Sequence, residues 1–245
     1  MIGDVPVRRH TVRGFDEDLA ELTGKVVAMG GLVERQLGAS VEALMHHDSA
    51  AAEQVIADDD QVDALEEAID RLAIRLLATR QPLAVDLRVV AMALKITNDL
   101  ERMGDYAVNI AKRVRRIAVQ PQIKPFLTIP LMAGICRAML KDVLDAYIER
   151  DDRKALAVWH RDPEVDDYYD QLFRELLAQT LAEPRQTGVC VDLMFVAKNL
   201  ERIGDHATNI AEVVYHMVRA DHLANNRPKA DVTSETSIPF EIHKA

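Results

Sequence analysis

The residues best suited to chemistry are oxygen donors at helical spacing: Glu101, Asp105 and Asn109, four apart, and the same trio one hundred residues on as Glu201, Asp205 and Asn209. On a helix of 3.6 residues per turn such a series stacks along one face. Glutamate and aspartate four apart repel, weakening the helix by about 0.2–0.5 kcal/mol unless a positive charge lies between them. A hard cation supplies that charge, because carboxylate and amide oxygens suit magnesium, calcium, manganese or iron, and shared carboxylates can hold more than one ion. Two further pairs repeat the spacing, Asp59 with Asp63 and Asp162 with Asp166. Each half of the chain thus offers two acidic pairs from neighbouring helices. The other reading is a solvated face neutralised locally by Arg102 and Arg202, and the spacing leaves both open.

These residues sit in a duplicated string, NDLERMGDYAVNIA at 98–111 and KNLERIGDHATNIA at 198–211. A match that dense exceeds what helical composition produces, so the chain reads as two copies of one module. Gly104 and Gly204 stand at the same place in both. Glycine inside a helix costs about 1 kcal/mol relative to alanine, so both positions imply a steric demand, either close packing or room for an ion. Opposite the acids runs an apolar seam, Leu100, Met103, Ala107, Ile110, Val114 and Ile117, which returns as Leu200, Ile203, Ala207, Ile210, Val214 and Met217. The seam faces a bundle, and the acids are expected to point outward.

The elements that must position these residues follow from composition and punctuation. With 245 residues, 49% hydrophobic but only 4% aromatic, the chain suits helix-on-helix packing. The expected fold is all-α: two similar three-helix bundles, six helices in all, related by an internal pseudo-twofold repeat. The first repeat spans 16–120, the second 126–220, and 221–245 reads as a mobile polar tail. Residues 1–15 read as a loose end, and the first helix runs from Asp16 or Glu17 to His47. Asp48-Ser49 caps the second, which reaches Arg80 before Pro82, and the third runs from Ala84 to Val119. A Pro-bearing link at 120–130 precedes a helix to Arg150. Asp151-Asp152 caps the next, to Glu183, with Pro163 as a kink or restart, and the last helix runs from Gly188 to Ala220.

Several functions are disfavoured. A net charge of −10 argues against nucleic acid as a partner. Cys136 and Cys190 form no CxxC pair and read as reduced core thiols. MIGDVPVRRH lacks a signal peptide's apolar core, and no apolar run approaches the ~20 residues of a membrane span. A cytoplasmic protein, peripheral to a membrane at most through its partners, is expected. No nucleophile-base pair or Gly-rich phosphate loop points to an enzyme. Paired Glu-x-x-His motifs, which a ferritin-like di-metal store needs, are missing. The basic run Lys112, Arg113, Arg115, Arg116 lies near a helix C-terminus, where cations are favoured, and lacks a counterpart in the second copy, which has Glu212 and Val213. His160, His206 and His216 read as structural, and Trp159 as core.

At LERMGD and LERIGD, at QPLAVDLR from Gln81 to Arg88, and through LERIGDHATNIAE from Leu200 to Glu212, the chain resembles the PhoU family of bacterial phosphate-uptake regulators over residues 16–220. The resemblance implies two three-helix bundles, a homodimer and a non-enzymatic role. It also implies metal clusters on E/D-x-x-x-D motifs, with iron or zinc as the metal and manganese or magnesium as further candidates. Those motifs fall on Glu101 and Asp105, Glu201 and Asp205, Asp59 and Asp63, and Asp162 and Asp166, with Pro163 interrupting the last pair. The implied function is negative regulation of phosphate uptake and of the phosphate-starvation response. The protein would act as a metal-binding adaptor between the phosphate ABC transporter ATPase and its sensor histidine kinase. The alternative is a helical scaffold or metal-storage protein without a signalling role.

Overall fold

The computed structural model describes residues 7–82, 85–120 and 127–223, with side chains from residue 14 on. The regular structure among them is helical: α1 (Val7–His46), α2 (Ser49–Ala57), α3 (Asp60–Arg80), α4 (Val85–Ile117), α5 (Thr128–Glu149), α6 (Asp152–Trp159), α7 (Asp162–Ala182) and α8 (Thr187–Arg219), with a 3₁₀ turn at Pro184–Gln186. These make six helical arms in two sets of three, as expected, because α2 and α3 form one broken arm and α6 and α7 another. The tail beyond residue 223 and most of the Pro-bearing link lie outside the described residues.

Pro163, in the first turn of α7, marks the second break as anticipated. The first break is a correction: the second helix was read as continuous to Arg80, but it restarts at Asp60. Three consecutive aspartates explain it, since Asp competes with the helical backbone through its own side chain. Asp58 Oδ1 accepts from Gln54 Nε2 at 2.9 Å and Gln61 Nε2 at 3.1 Å, and its carbonyl closes a tight turn to Gln61 N at 3.1 Å. A second correction concerns α1, which begins at Val7 rather than near Asp16. No proline interrupts residues 7–15, and the lone Gly14 is tolerated.

The two repeats share their hinge geometry. His47 and Arg150, 103 residues apart, end their helices in the left-handed region at φ 52° and 53°. The next residue caps the following helix: Asp48 Oδ1 accepts from Ala50 N and Ala51 N at 2.9 Å, and Asp151 Oδ1 from Arg153 N and Lys154 N at 2.8 and 3.2 Å. Asp48→Ala or Asp151→Ala is expected to cost about 1 kcal/mol, seen by calorimetry as a midpoint about 2–4 °C lower.

Each repeat packs its three arms around a buried seam in which Leu100, Met103, Ala107, Ile110 and Val114, and their copies from Leu200 to Val214, are fully buried. The repeats then join through α4 against α8 and α1 against α5, so one core runs through both. α4 and α8 run antiparallel: Arg113 reaches Asp192 at 2.8 Å toward one end, His206 Nδ1 lies 2.7 Å from Asp99 Oδ1 toward the other, and the Tyr106 and His206 rings stand 5.6 Å apart between them. Cys136 and Cys190 are buried free thiols. Burial pushes the Cys136 thiol up to about 12, which leaves it protonated and inert.

Candidate metal-binding faces

The break at Asp58-Asp59 gives α3 an N-terminus beside the middle of α4, and Asp59 and Asp63 stand at its start, where the helix dipole favours anions. Glu101 and Asp105 face them from α4. Between these two, Arg102 holds its Nε 3.4 Å from Glu101 Oε2 and its Nη1 3.4 Å from Asp105 Oδ2. α1 contributes Gln36, 5% exposed, whose Nε2 donates to Asp59 Oδ1 at 3.3 Å while its buried Oε1 has no hydrogen-bond partner. Gly104 leaves the space beside that oxygen open: a Cβ there would lie 3.4 Å from Gln36 Oε1, 3.6 Å from Val62 and 3.8 Å from Asp59 Oδ1. The first repeat therefore sets carboxylates of α3 and α4 near an orphaned amide oxygen of α1, donors of the kind a hard cation takes, without converging three of them on one point.

Its electrostatics point the same way. Burial, then repulsion from Asp105, raises the Glu101 carboxyl above the ordinary range. Asp59 is raised first by burial, against the Gln36 hydrogen bond and with Asp63 and Asp105 adding to the rise, and Glu66 by burial, Asp70 and Asp63. A carboxyl raised in the folded state stabilises the fold below its unfolded pKa, and that contribution is lost as pH rises through the folded value. Glu101→Gln should therefore raise the unfolding midpoint at neutral pH, by up to about 0.5 kcal/mol for relief of one i,i+4 repulsion, and gain nothing once the solution is acidic enough to protonate Glu101. Thermal scans across that range check it.

The second face differs, and here the expectation of outward acids is overturned. Asp162, Asp166 and Glu201 are 2%, 4% and 5% exposed. A helical wheel tells which residues share a side but not whether another helix covers it, and α7 covers this one. Gly204 allows the approach, since a Cβ there would come within 3.1 Å of Val165 Cγ1. Its role is close packing. The carboxylates are only partly satisfied: Thr208 Oγ1 donates to Asp162 Oδ1 at 3.2 Å, and Lys198 Nζ, 5.0 Å from the Tyr169 ring, lies 2.8 Å from Glu201 Oε2 as an ion pair, while buried Glu201 Oε2 and Asp170 Oδ1 receive no aligned hydrogen bond. Burial raises the Glu201 carboxyl. At the 103-residue offset Met139 stands opposite Gln36, so the neutral oxygen donor of the first face has no counterpart.

Among the described residues, no three His, Cys, Asp or Glu side chains converge as a ready-made metal site. Asn109 and Asn209 belong to the α4–α8 seam: Asn109 lines a groove with Lys112 and Arg113, and Asn209 Nδ2 is 3.5 Å from Asp99 Oδ1. Trp159 is core, with Nε1 donating to Glu212 Oε1 at 2.9 Å. Sequence reading passed over Gln36, Lys198 and Thr208. Gln36 carried a visible signal, a polar residue beside Val33 and Leu37 in the apolar stripe of α1.

A PhoU domain model matches the chain twice, at residues 26–114 and 129–214. The chain is 46% identical over 227 residues to the phosphate-specific transport system accessory protein PhoU homolog of Caulobacter vibrioides, covering 92% of this chain and 99% of that protein. The homolog of the same description from Zymomonas mobilis is 49% identical over 206 residues, 84% of this chain and 87% of its own length. Among solved structures, PhoU from Pseudomonas aeruginosa superposes with a TM-score of 0.80 at 36% identity, over 84% of this chain and all of that one. The phosphate transport system regulatory protein PhoU from Streptococcus pneumoniae gives 0.79 at 27% identity, over 86% and 99%.

Proposed function

The chain belongs to the PhoU family, and on that premise we propose that it is a regulatory accessory protein of phosphate transport, acting in the cytoplasm as a homodimeric adaptor. It would restrain the phosphate ABC transporter through its ATPase and hold the cognate sensor histidine kinase inactive when phosphate is plentiful. The observation that carries this reading is similarity along 99% of a relative named as an accessory protein of that transport system. No described helix is long and apolar enough to cross a membrane, which accords with action through membrane-bound partners.

In this reading the acidic faces hold metal. Glu101, Asp105, Asp59 and Asp63, with Gln36 Oε1, would take an ion in the first repeat, and Glu201, Asp205, Asp162 and Asp166 in the second. A bound iron, zinc, manganese or magnesium ion would supply the positive charge that Arg102 and Lys198 now bring to Glu101 and Glu201. The exposed first face is the better candidate, because entry there displaces one surface arginine, whereas the second must uncover buried carboxylates.

The test is genetic. A phosphate-starvation promoter should stay silent in high phosphate while the gene is present and switch on when it is deleted, with re-expression restoring silence. Repression unchanged by the deletion would overturn the regulatory reading.

A further inference from the structure

The basic run on α4 is absorbed neither by the core nor by the acidic faces. We propose that the groove between α4 and α8 binds a phosphate group, through Lys112, Arg113 and Arg116 of α4 and Arg202 of α8. These side chains, with Asn109 and Asn199, line an open groove of about 420 Å³ at one end of the seam between the repeats. They form a concentrated basic site on a chain of net charge −10.

The site is built rather than merely charged. Asp192, 1% exposed, sits behind it and receives Arg113 Nη1 at 2.8 Å, Arg116 Nε at 3.4 Å and Gln120 Nε2 at 3.1 Å. One carboxylate thus orients two guanidinium groups and can neutralise only one. Arg113 is further fixed 4.2 Å over the Phe195 ring. Lys112 makes no close ion pair among the described residues and acts on Asp59 only through its field, so its ammonium donors face the groove. Arginine forks and a lysine ammonium are the donors that phosphate oxygens select.

The pseudo-twofold repeat provides an internal control. At the equivalent positions one hundred residues away, Lys112, Arg113 and Arg116 become Glu212, Val213 and His216, and Asp192 is replaced by Met92. There Asp99, in the place of Asn199, lies 2.7 Å from His206 Nδ1, and Glu212 and Asp99 stand beside Lys95 and Arg102, so the mirrored positions mix both signs where the groove has cations alone. All four departures work together, three supplying cations and one the buried anchor that aims two of them. Packing of α4 on α8 requires none of these charges, since the twofold-related end packs without them.

The groove has the volume of the smaller organic-ligand pockets, so the phosphate group could be free or carried by a nucleotide. This inference rests on neither the metal nor the regulatory reading. Calorimetric titration of the full chain with inorganic phosphate and with ADP, at low and physiological ionic strength, tests it. At least one probe should saturate at one equivalent per chain, more weakly as salt is raised. Lys112→Glu, which installs the residue of the second repeat, and Arg116→Ala should each weaken it about tenfold or more, about 1.4 kcal/mol, with helix content unchanged by circular dichroism. Saturation by phosphate alone identifies a free oxyanion, and saturation by ADP alone a nucleotide-borne phosphate. Failure of both probes to saturate the parent chain, or affinity within twofold of parent in both folded variants, would overturn the proposal whatever the promoter assay gives.

Discussion

Asp192→Ala is expected to lower the unfolding free energy by about 3 kcal/mol, the low end of the cost of removing one partner from a buried ion pair. Asp192 is 1% exposed, while its partners Arg113 and Arg116 retain 26% and 65% of their side-chain exposure. Water can therefore reclaim part of Arg116 but little of Arg113, which is why the low end applies. The loss falls on the α4–α8 seam that joins the repeats, so both repeats should unfold earlier in one transition. Urea denaturation with an unchanged m-value reads the change as a shift in midpoint. Arg116→Ala is the matched control, expected to cost no more than about 1 kcal/mol, as an exposed pair does. A loss below about 1 kcal/mol for Asp192→Ala would mean that the seam relies on its apolar contacts alone.

Asp192 also shows where sequence reading stops. The seam from Leu100 to Ile117, the caps at Asp48 and Asp151 and the restart at Pro163 were legible because each depends on residues within a few positions of one another. The break at Asp58-Asp59 was also local, but Asp59 was read only as half of a pair with Asp63, and its neighbours Asp58 and Asp60 were not weighed as helix breakers. What stayed hidden depends on which helix lies against which. Nothing in the spacing of Asp162 and Asp166 distinguishes them from Asp59 and Asp63, yet the first pair is buried and Asp63 is exposed. Asp192 and Arg113 lie 79 residues apart and meet only because the duplicated units pack antiparallel. The duplication was visible and its symmetry correctly anticipated. The functional content lies in where that symmetry fails, at Gln36 against Met139, Lys112 against Glu212 and Asp192 against Met92.

An effect of similar size is expected on the first acidic face. With manganese at about a hundred times its dissociation constant, a cation site specific to the folded state adds about 2.7 kcal/mol to stability, and the parent chain at neutral pH should show this as a raised thermal midpoint. Asp59→Asn combined with Asp105→Asn should remove it, with affinity falling by about a hundredfold or more, since even indirect partners of metal ligands are worth 10–100-fold. Protons compete for the same oxygens. Because Asp59 and Glu101 are raised above the ordinary carboxylate range, cation binding should fade as pH falls through their raised values. Arg102→Ala separates a metal site from a solvated stripe. Arg102 stands 3.4 Å from both Glu101 and Asp105, where an ion would have to enter, so its removal should tighten cation binding. If the face is a scaffold, the same variant costs a small surface ion pair, of order 0–1 kcal/mol, and no metal co-purifies with either protein. Stoichiometric metal in the parent and more tightly held metal in Arg102→Ala would fix the first face as the site.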